Sequence, residues 1–258
     1  MSDFQTLIGD KSLKIGTYLG EFATPGIGKI LKATGCEFVF IDMEHSGFGF
    51  ETVKQTLNNL QAEGIAVLLR PPSKAGHHLQ RATDIGARGI IAPMVGTGAE
   101  AAACVSALKY PPHGHRGVAL RIAHDNYAAS AVQHALERAN AETGLIALIE
   151  TAEGVANCDE IAATAGVDAL WIGHLDLSAS LGILGDFGNR LFRDAIDQIM
   201  AAAKSNNVPV GRLVGSGDEA AVCHREGCHL ICYLGDIWLL QKALSEGIET
   251  IRNLCDEK

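Results

Sequence analysis

Most residues that could carry out chemistry fall in four short polar segments, each directly after an apolar run of strand length. The segments are residues 41–45 (IDMEH), 70–72 (RPP), 149–151 (IET) and 173–178 (GHLDLS). Any one of them has an ordinary explanation, because an Asp after a strand often caps a helix and a single His is often a hydrogen-bonded core residue. Four together are more informative, since neighbouring carboxylates repel one another unless a cation or an arginine neutralises them. We therefore expect a charged catalytic centre.

The side chains in these segments suit a metal-dependent reaction. Glu150 and Asp176 together can hold one hard divalent cation (Mg²⁺, Mn²⁺ or Co²⁺) and leave coordination positions for water and substrate oxygens. Arg70 offers a fixed positive fork for a carboxylate or an enolate oxygen. His45 is the natural proton carrier, because the unperturbed pKa of histidine, ~6.5, lies near working pH.

Strands and helices that alternate along the chain would bring these segments together. The predicted strands are 14–19, 37–42, 66–70, 89–93, 145–150, 169–173, 209–213 and 229–234. The predicted helices are 25–34, 51–63, 75–86, 98–108, 154–165, 189–206, 216–226 and 236–255. Eight such units in 258 residues predict an α/β fold, a single (β/α)8 barrel that occupies residues 1–258 and has its catalytic groups at the carboxyl ends of the strands. Residues 109–143, after the fourth helix, form an insert that we predict to be an ordered loop followed by an extra helix.

Composition narrows the class of partner. The net charge is −9, from 21 Lys plus Arg against 30 Asp plus Glu, which argues against nucleic acid and favours a small ligand. We expect a cytoplasmic protein, because no apolar run approaches the roughly 20 residues of a membrane span and the first residues lack a secretion signal. The seven cysteines include no CxxC pair and fit reduced thiols. Residues 223–232 hold three cysteines and two histidines, a possible zinc site, although we favour buried thiols because the segment crosses from a helix into a strand.

Several motifs carry a resemblance to a known family. They are IDMEH, the arginine after the third strand, IAPMV, PPHGHRGV, LIETAEGV, GVDALWIGHLDLSASLG and a closing LGD-x-x-LL. The chain resembles the HpcH/HpaI family of class II pyruvate aldolases over nearly its whole length. The resemblance implies Glu150 and Asp176 as metal ligands, His45 as the base and Arg70 as the stabiliser of a pyruvate enolate. It also implies that Asp84 supports the histidine, commonly across a subunit boundary, in a homo-oligomer that we expect to be a hexamer; the alternative for Asp84 is a cap or turn residue.

Some positions depart from the family pattern and concern substrate binding. Relatives often carry Gly-Pro-Ala before the metal-binding Asp and Gln two residues before the metal-binding Glu, where this chain has Gly173, His174 and Leu175, and Leu148. We take Gly173, His174, Leu175, Arg212 and Leu213 as candidate substrate contacts. An aliphatic residue is common among relatives at Arg212, which either recognises a second substrate carboxylate or forms an ion pair beneath a loop.

Three functions remain open on the sequence. The first is an aldolase that cleaves or forms 4-hydroxy-2-oxo acids, with pyruvate and an aldehyde as the partners of the reaction. The second is a related lyase that uses the same metal site on oxaloacetate or an acyl-CoA thioester, as the citrate-lyase β-subunit does. The third is a non-catalytic protein that keeps the barrel, which the retained polar residues argue against.

Overall fold

The computed structural model describes residues 3–9 and 11–256 and forms a closed barrel of eight parallel strands. The strands are β1 (Lys14–Leu19), β2 (Phe38–Asp42), β3 (Ala66–Arg70), β4 (Gly89–Ala92), β5 (Gly144–Ile149), β6 (Val167–Ile172), β7 (Val210–Val214) and β8 (Leu230–Gly235). Each pairs with the next in sequence, and β8 closes the barrel against β1. The predicted (β/α)8 architecture is confirmed, and the strands lie within two residues of their predicted positions.

The strands read as almost continuous apolar runs because both of their faces are buried. Along β2, Phe38 and Phe40 belong to the cluster that fills the barrel, while Val39 and Ile41 belong to the cluster between barrel and helices. This alternation continues into the polar end of the strand, so Asp42 also faces inward. The parity that packs the core therefore also decides which polar residues reach the barrel mouth.

The described residues form twelve α-helices around the strands. These are α1 (Asp3–Gly9), α2 (Ile27–Ala33), α3 (Phe50–Ala62), α4 (Gly76–Asp84), α5 (Gly98–Leu108), α6 (Val132–Glu142), α7 (Ala152–Ala156), α8 (Cys158–Ala163), α9 (His174–Ser180), α10 (Arg190–Ser205), α11 (Gly217–Arg225) and α12 (Asp236–Asp256). The predicted helix 154–165 is two helices that meet at Asn157, whose side chain donates to the carbonyl of Gly96. The short helices α1 and α9 were not predicted, because neither is long enough to show a helical period.

The insert between α5 and β5 contains the predicted helix, α6, preceded by a loop with one 3₁₀ turn at Ala123–Asp125. Two buried charges hold the loop in place. The guanidinium of Arg116 pairs with the carboxylate of Asp84 and lies over the ring of Tyr110, and Asp125 accepts hydrogen bonds from the amides of Arg121 and Tyr127. The loop is therefore ordered by its own polar contacts, as its sequence predicts.

Helix α1 closes the amino-terminal end of the barrel. The ring of Phe4 is 1% exposed and lies against Gly89 and Gly144, the first residues of β4 and β5. A β-carbon at either glycine would overlap that ring, so the two small residues make room for the phenylalanine. The barrel interior is thus sealed opposite the end where the polar segments lie.

Helix α12 leaves the barrel surface after its first turns. Trp238 packs on Tyr18 with ring centroids 5.2 Å apart, and α12 contacts β1 and β8. Beyond this point the helix exposes a row of apolar side chains, Leu240, Leu244, Ile248, Ile251 and Leu254. Within residues 3–9 and 11–256, no helix combines the length and apolar character needed to cross a bilayer.

We expect Phe4→Ala to lower the free energy of unfolding by about 3–5 kcal/mol, because it leaves a cavity at the sealed end of the barrel. Denaturant unfolding followed by circular dichroism measures the change. Ile30→Ala on α2 removes an exposed side chain and serves as the control, with an expected change within about 0.5 kcal/mol. Equal stabilities of the two variants would contradict the proposed seal.

Candidate active site

A buried ion pair lies at the carboxyl ends of β2 and β3. Arg70 donates from Nε to Oδ1 of Asp42 at 2.8 Å and from Nη2 to Oδ2 at 2.7 Å. Asp42 is 0% exposed and also accepts from the hydroxyl of Tyr18, 2.9 Å away on β1. Burial raises the pKa of Asp42, but the hydrogen bonds and charge of Arg70 outweigh it, so the pKa lies below its ordinary value. The plane of the Arg70 guanidinium is therefore fixed by an ionised partner.

Asp42 and Tyr18 were missed as functional residues by the sequence analysis, which assigned roles only to Arg70 and His45 in this region. A usable signal for Asp42 was present, because it lies at an inward position of β2, two residues after Phe40. Tyr18 gave no such signal, since an inward Tyr on β1 is as easily a core residue. Its ring packs against Phe40 and Trp238 while its hydroxyl reaches the mouth.

Glu150 follows β5 and is the most buried carboxylate that faces the mouth apart from Asp42. It is 3% exposed, and its Oε1 accepts from the amide of Met94 at 2.7 Å. Met94 adopts a left-handed backbone conformation, φ 55°, which is uncommon for a residue with a side chain and occurs often at functional sites. Burial raises the pKa of Glu150 to about 7, and nearby Glu44 and Asp176 contribute to the rise.

Gly173 makes room for this carboxylate. A β-carbon at Gly173 would lie 2.6 Å from both Cβ and Oε2 of Glu150, closer than real contacts allow. The absence of a side chain at the end of β6 is therefore required by the position of Glu150. This gives a steric reason for the glycine, in addition to its expected role as a substrate contact.

Two further acids complete the charged end of the barrel. Glu44 lies 3.2 Å from Nη1 of Arg70, and its pKa is raised by burial and by the charges of Asp42 and Asp176. Asp176 is an exposed residue in the first turn of α9. Within residues 3–9 and 11–256, the structure contains no group of three or more His, Cys, Asp and Glu side chains already arranged to hold an ion.

The donor chemistry fits a hard cation. Glu150 and Asp176 offer carboxylate oxygens, which suit Mg²⁺ and Mn²⁺ and leave open positions. Burial is the main cause of the raised pKa of Glu150, with a smaller contribution from the charges of Glu44 and Asp176, and a divalent ion beside the carboxyl would favour its ionised form.

His45 lies at the rim of the mouth. It is on the loop after β2, its side chain is 63% exposed, and its Nε2 is 3.9 Å from Oε2 of Glu44. Asp84 does not support it within this chain, because the Asp84 carboxylate, at the end of α4, pairs with Arg116 of the insert. The structure thus brings His45 to the site but does not bring Asp84 to His45 within the described chain.

Three other residues were expected to contact substrate: Leu213, Leu175 and His174. Leu213 faces the barrel interior near the mouth, and Leu175 is exposed beside Asp176 on α9. The ring of His174 packs edge-on against Phe187 at 5.3 Å, and its pKa is lowered by burial and by the charge of Arg212. These side chains lie beside the charged groups rather than among them.

Arg212 is placed differently from the expectation that it contacts substrate. Gly211 and Leu213 take the inward positions of β7, so Arg212 faces the helices, where Nη2 is 3.0 Å from Oε1 of Glu219. It is largely buried over the ring of Phe192. The substrate-contact expectation is corrected by strand parity, and the geometry matches the alternative of an ion pair beneath the outer layer.

The cysteine-rich segment contains buried thiols. Cys232 lies inside the barrel, whereas Cys223 and Cys228 belong to the outer cluster, so one ion cannot reach all three. The described residues contain no metal-binding group of this kind. The interpretation as packed thiols, favoured over zinc, agrees with the structure.

We expect Tyr18→Phe to lower the free energy of unfolding by about 1.5–3 kcal/mol, because it removes a buried hydrogen bond to a charged acceptor. Tyr233→Phe is the matched control, since Tyr233 faces the helix layer on β8. Urea unfolding of both variants measures the difference. A Tyr18 variant as stable as the control would show that the hydroxyl does not hold Asp42.

Comparison with known proteins places this geometry in a family. The sequence matches the model of the family described as HpcH/HpaI aldolase/citrate lyase over residues 14–235. The chain is 37% identical to a hydroxypyruvate/pyruvate aldolase of Deinococcus radiodurans over 209 residues, 81% of this chain and 71% of that protein. It is 31% identical to a 5-keto-4-deoxy-D-glucarate aldolase of Klebsiella pneumoniae, with 93% of each chain covered.

A solved structure gives the same result. The crystal structure of an HpcH/HpaI aldolase/citrate lyase family protein from Burkholderia cenocepacia superposes with a TM-score of 0.89 at 30% identity, covering 96% of this chain and 98% of that one. The resemblance inferred from the motifs is confirmed. The chain belongs to the HpcH/HpaI aldolase/citrate lyase family and is a carbon–carbon lyase.

Proposed function

We propose that this protein is a divalent-metal-dependent aldolase that cleaves or forms 4-hydroxy-2-oxo acids, with pyruvate and an aldehyde as products or substrates. The observation that carries the proposal is the pairing, at one barrel mouth, of a buried Glu150 whose pKa is raised to about 7 with an Arg70 held by Asp42. The relatives named as hydroxypyruvate/pyruvate aldolase and 5-keto-4-deoxy-D-glucarate aldolase support the same reaction class.

Glu150 and Asp176 would hold the ion. When bound, it supplies positive charge that polarises the 2-oxo group of the substrate and stabilises the negative charge of an enolate. Mg²⁺, Mn²⁺ and Co²⁺ all suit two carboxylates and several exchangeable positions. The amide of Met94 donates to Oε1 of Glu150 at 2.7 Å and so fixes the orientation of the carboxylate that would hold the ion.

Arg70 retains donors for substrate after its protein contacts are made. A guanidinium carries five N–H groups, and the hydrogen bonds to Asp42 use one on Nε and one on Nη2. One N–H of Nη2 and those of Nη1, which also lies 3.2 Å from Glu44 in an ion pair, remain for a carboxylate or an enolate oxygen. The cation needs no reorganisation during the reaction, because Asp42 already fixes its plane.

His45 is the proton carrier in this proposal. Retro-aldol cleavage requires a base for the proton of the C4 hydroxyl, and the enolate carbon then requires a proton to become the methyl group of pyruvate. An exposed imidazole at the rim can rotate toward bound substrate. Asp84 of a neighbouring subunit would support it in a homo-oligomer, for which we propose the hexamer implied by the family, and Leu213 and the His174–Leu175 turn would contact the aldehyde portion.

The test is a coupled pyruvate-release assay over several 4-hydroxy-2-oxo acids with a panel of divalent metals. We expect metal-dependent turnover in the wild type and a loss of about 10³-fold in Glu150→Gln and Asp176→Asn, because each removes a ligand and several kcal/mol of charge stabilisation. Glu153→Gln and Asp186→Asn change exposed acids nearby and serve as matched controls.

Metal content and far-UV circular dichroism of the same variants separate loss of the site from loss of the fold. Near-normal rates with full metal occupancy in both ligand variants would contradict the proposed site. Turnover that EDTA does not affect would contradict the metal dependence.

We also expect metal affinity to depend on pH through Glu150. Its pKa of about 7 means that the carboxyl is protonated below this pH, so a bound ion must displace a proton there. The apparent association constant should fall about tenfold per pH unit below 7 and level off above it. Calorimetric titration between pH 5.5 and 8.5, in buffers of different ionisation enthalpy, measures both the affinity and the proton release.

The folded-state pKa of Glu150 lies above that of an unfolded chain, about 4.3, so ionisation of this residue destabilises the metal-free barrel as pH rises between these values. Glu150→Gln should remove this loss of stability with rising pH, whereas Glu153→Gln should not. A metal affinity that does not change between pH 5.5 and 8.5 would show that Glu150 is ionised without the ion.

A further inference from the structure

Two cysteines meet at the end of α11, on the outer layer of the barrel. The helix ends in a turn in which Gly227 takes φ 107°, the amide of Cys228 donates to the carbonyl of Cys223 at 2.9 Å, and the amide of Gly227 donates to that of His224 at 3.0 Å. This pair of bonds defines a Schellman motif, whose outer residues usually make an apolar side-chain contact. Here both of those residues are cysteines, so the motif places their side chains next to each other.

The surroundings shift the pKa values of the two thiols in opposite directions. Nη1 of Arg212 lies 3.5 Å from Sγ of Cys223. The pKa of Cys223 is lowered to about 7, first by the hydrogen bond from Cys228 and also by Arg212, while burial, Glu219 and Glu226 oppose the shift. The pKa of Cys228 is raised by the same hydrogen bond and by burial. One sulfur is thus stabilised as a thiolate and its neighbour is kept as a thiol.

Other buried cysteines lack this arrangement. Burial raises the pKa of Cys104 to about 11 and also raises that of Cys158. Burial alone therefore makes thiols in this protein inert, and the shift at Cys223 comes from its particular neighbours.

A small reagent has a place next to Cys223. Cys223 and Arg212 line a cavity of about 280 Å³ between α10 and α11, with Phe187, Phe192 and Val222 among the other walls. The thiols themselves are 1% and 2% exposed, so large reagents are excluded. The Nε of Arg212 has no hydrogen-bond partner, which adds an available donor beside the sulfur.

We propose that Cys223 and Cys228 form a peroxide-reactive thiol pair that closes into an intramolecular disulfide. The thiolate of Cys223 attacks one oxygen of hydrogen peroxide, the O–O bond breaks, and the leaving hydroxide takes a proton to become water. The resulting sulfenic acid on Cys223 is attacked by the sulfur of Cys228, the S–O bond breaks, and a second water leaves as the S–S bond forms. The pair loses two electrons and the peroxide gains them.

This chemistry is separate from the barrel mouth, because Cys223 and Cys228 belong to the cluster between strands and helices. It requires neither the metal nor the 2-oxo acid. A failed aldolase assay would therefore not contradict the thiol-pair proposal, and a failed peroxide experiment would not contradict the aldolase proposal.

The test is oxidation of the full-length protein with graded hydrogen peroxide, followed by acid quenching, alkylation and peptide mass spectrometry. Trypsin cuts after Arg212, Arg225 and Lys242, so the two cysteines fall in separate peptides, 213–225 and 226–242. We expect these peptides to become linked with a mass lower by two hydrogens, and fragmentation to assign the bond to Cys228 rather than Cys232. Cys223 should react about 10²-fold faster than Cys104, because the larger thiolate fraction outweighs its weaker nucleophilicity.

Two variants keep the proposal falsifiable. In Cys228→Ser the sulfenic acid should persist and be trapped by dimedone that is added together with denaturant after the peroxide is removed, and in Cys223→Ser the thiol of Cys228 should stay reduced. Cys104→Ser, another buried thiol on a helix, is the matched control and should leave the disulfide unaffected. Circular dichroism checks the fold of each.

The proposal would be overturned if Cys223 stays reduced at peroxide concentrations that oxidise the exposed Cys255, or if the linked partner of Cys228 is Cys232. It would also be overturned if a folded Cys228→Ser variant that is oxidised and then unfolded in the presence of dimedone carries no adduct on Cys223.

Discussion

Alternation of side chains along eight closed strands is the constraint on which the other features of this molecule depend. A barrel of this size is filled by its inward side chains, so every second residue must be apolar until the strand reaches the mouth. Phe38, Phe40 and Asp42 follow this rule on one strand, and Leu148 and Glu150 follow it on another. The spacing that packs the core therefore delivers the charged groups to a common point, whereas Arg212, one position out of phase, reaches the helices instead.

A second consequence of this alternation is that the barrel mouth carries more negative than positive charge. Asp42, Glu44, Glu150 and Asp176 contribute four carboxylates, and Arg70 contributes one guanidinium, so the five groups sum to −3 when all are ionised. Arg70 satisfies Asp42 almost completely, as the lowered pKa of that carboxyl indicates, and Glu150 receives little compensation. Arg70 keeps Asp42 ionised, whereas burial raises the pKa of Glu150, whose charge we propose an external cation compensates. This division separates a structural role for Asp42 from the ligand role proposed for Glu150.

Much of the fold and part of the candidate site could be predicted from the sequence. Strand positions, the closed barrel and the inward direction of Arg70 follow from short apolar runs and their polar ends, because both are local patterns. Phe4 and Tyr18 could not be predicted, since their importance depends on glycines and carboxylates contributed by distant strands. The partner of Asp84 was equally inaccessible, because a motif identifies a residue type without saying which arginine lies nearest. The choice between the two alternatives for Arg212 depended on knowing that Gly211 and Leu213 take the inward positions of β7, which places Arg212 on the outward face.

The fit of Gly173 against Glu150 has a consequence for how this protein tolerates mutation. A glycine with ordinary backbone angles usually accepts alanine, yet here any β-carbon would meet the Cβ and Oε2 of Glu150. In a saturation library, position 173 should be as intolerant as a catalytic position although it contributes no functional group. Two positions that follow adjacent strands are thus constrained jointly, and shortening the acid at 150 to Asp would not by itself admit a side chain at 173, because Asp keeps the Cβ. The steric dependence of Glu150 on its neighbour restricts the paths by which this barrel mouth could evolve a different centre.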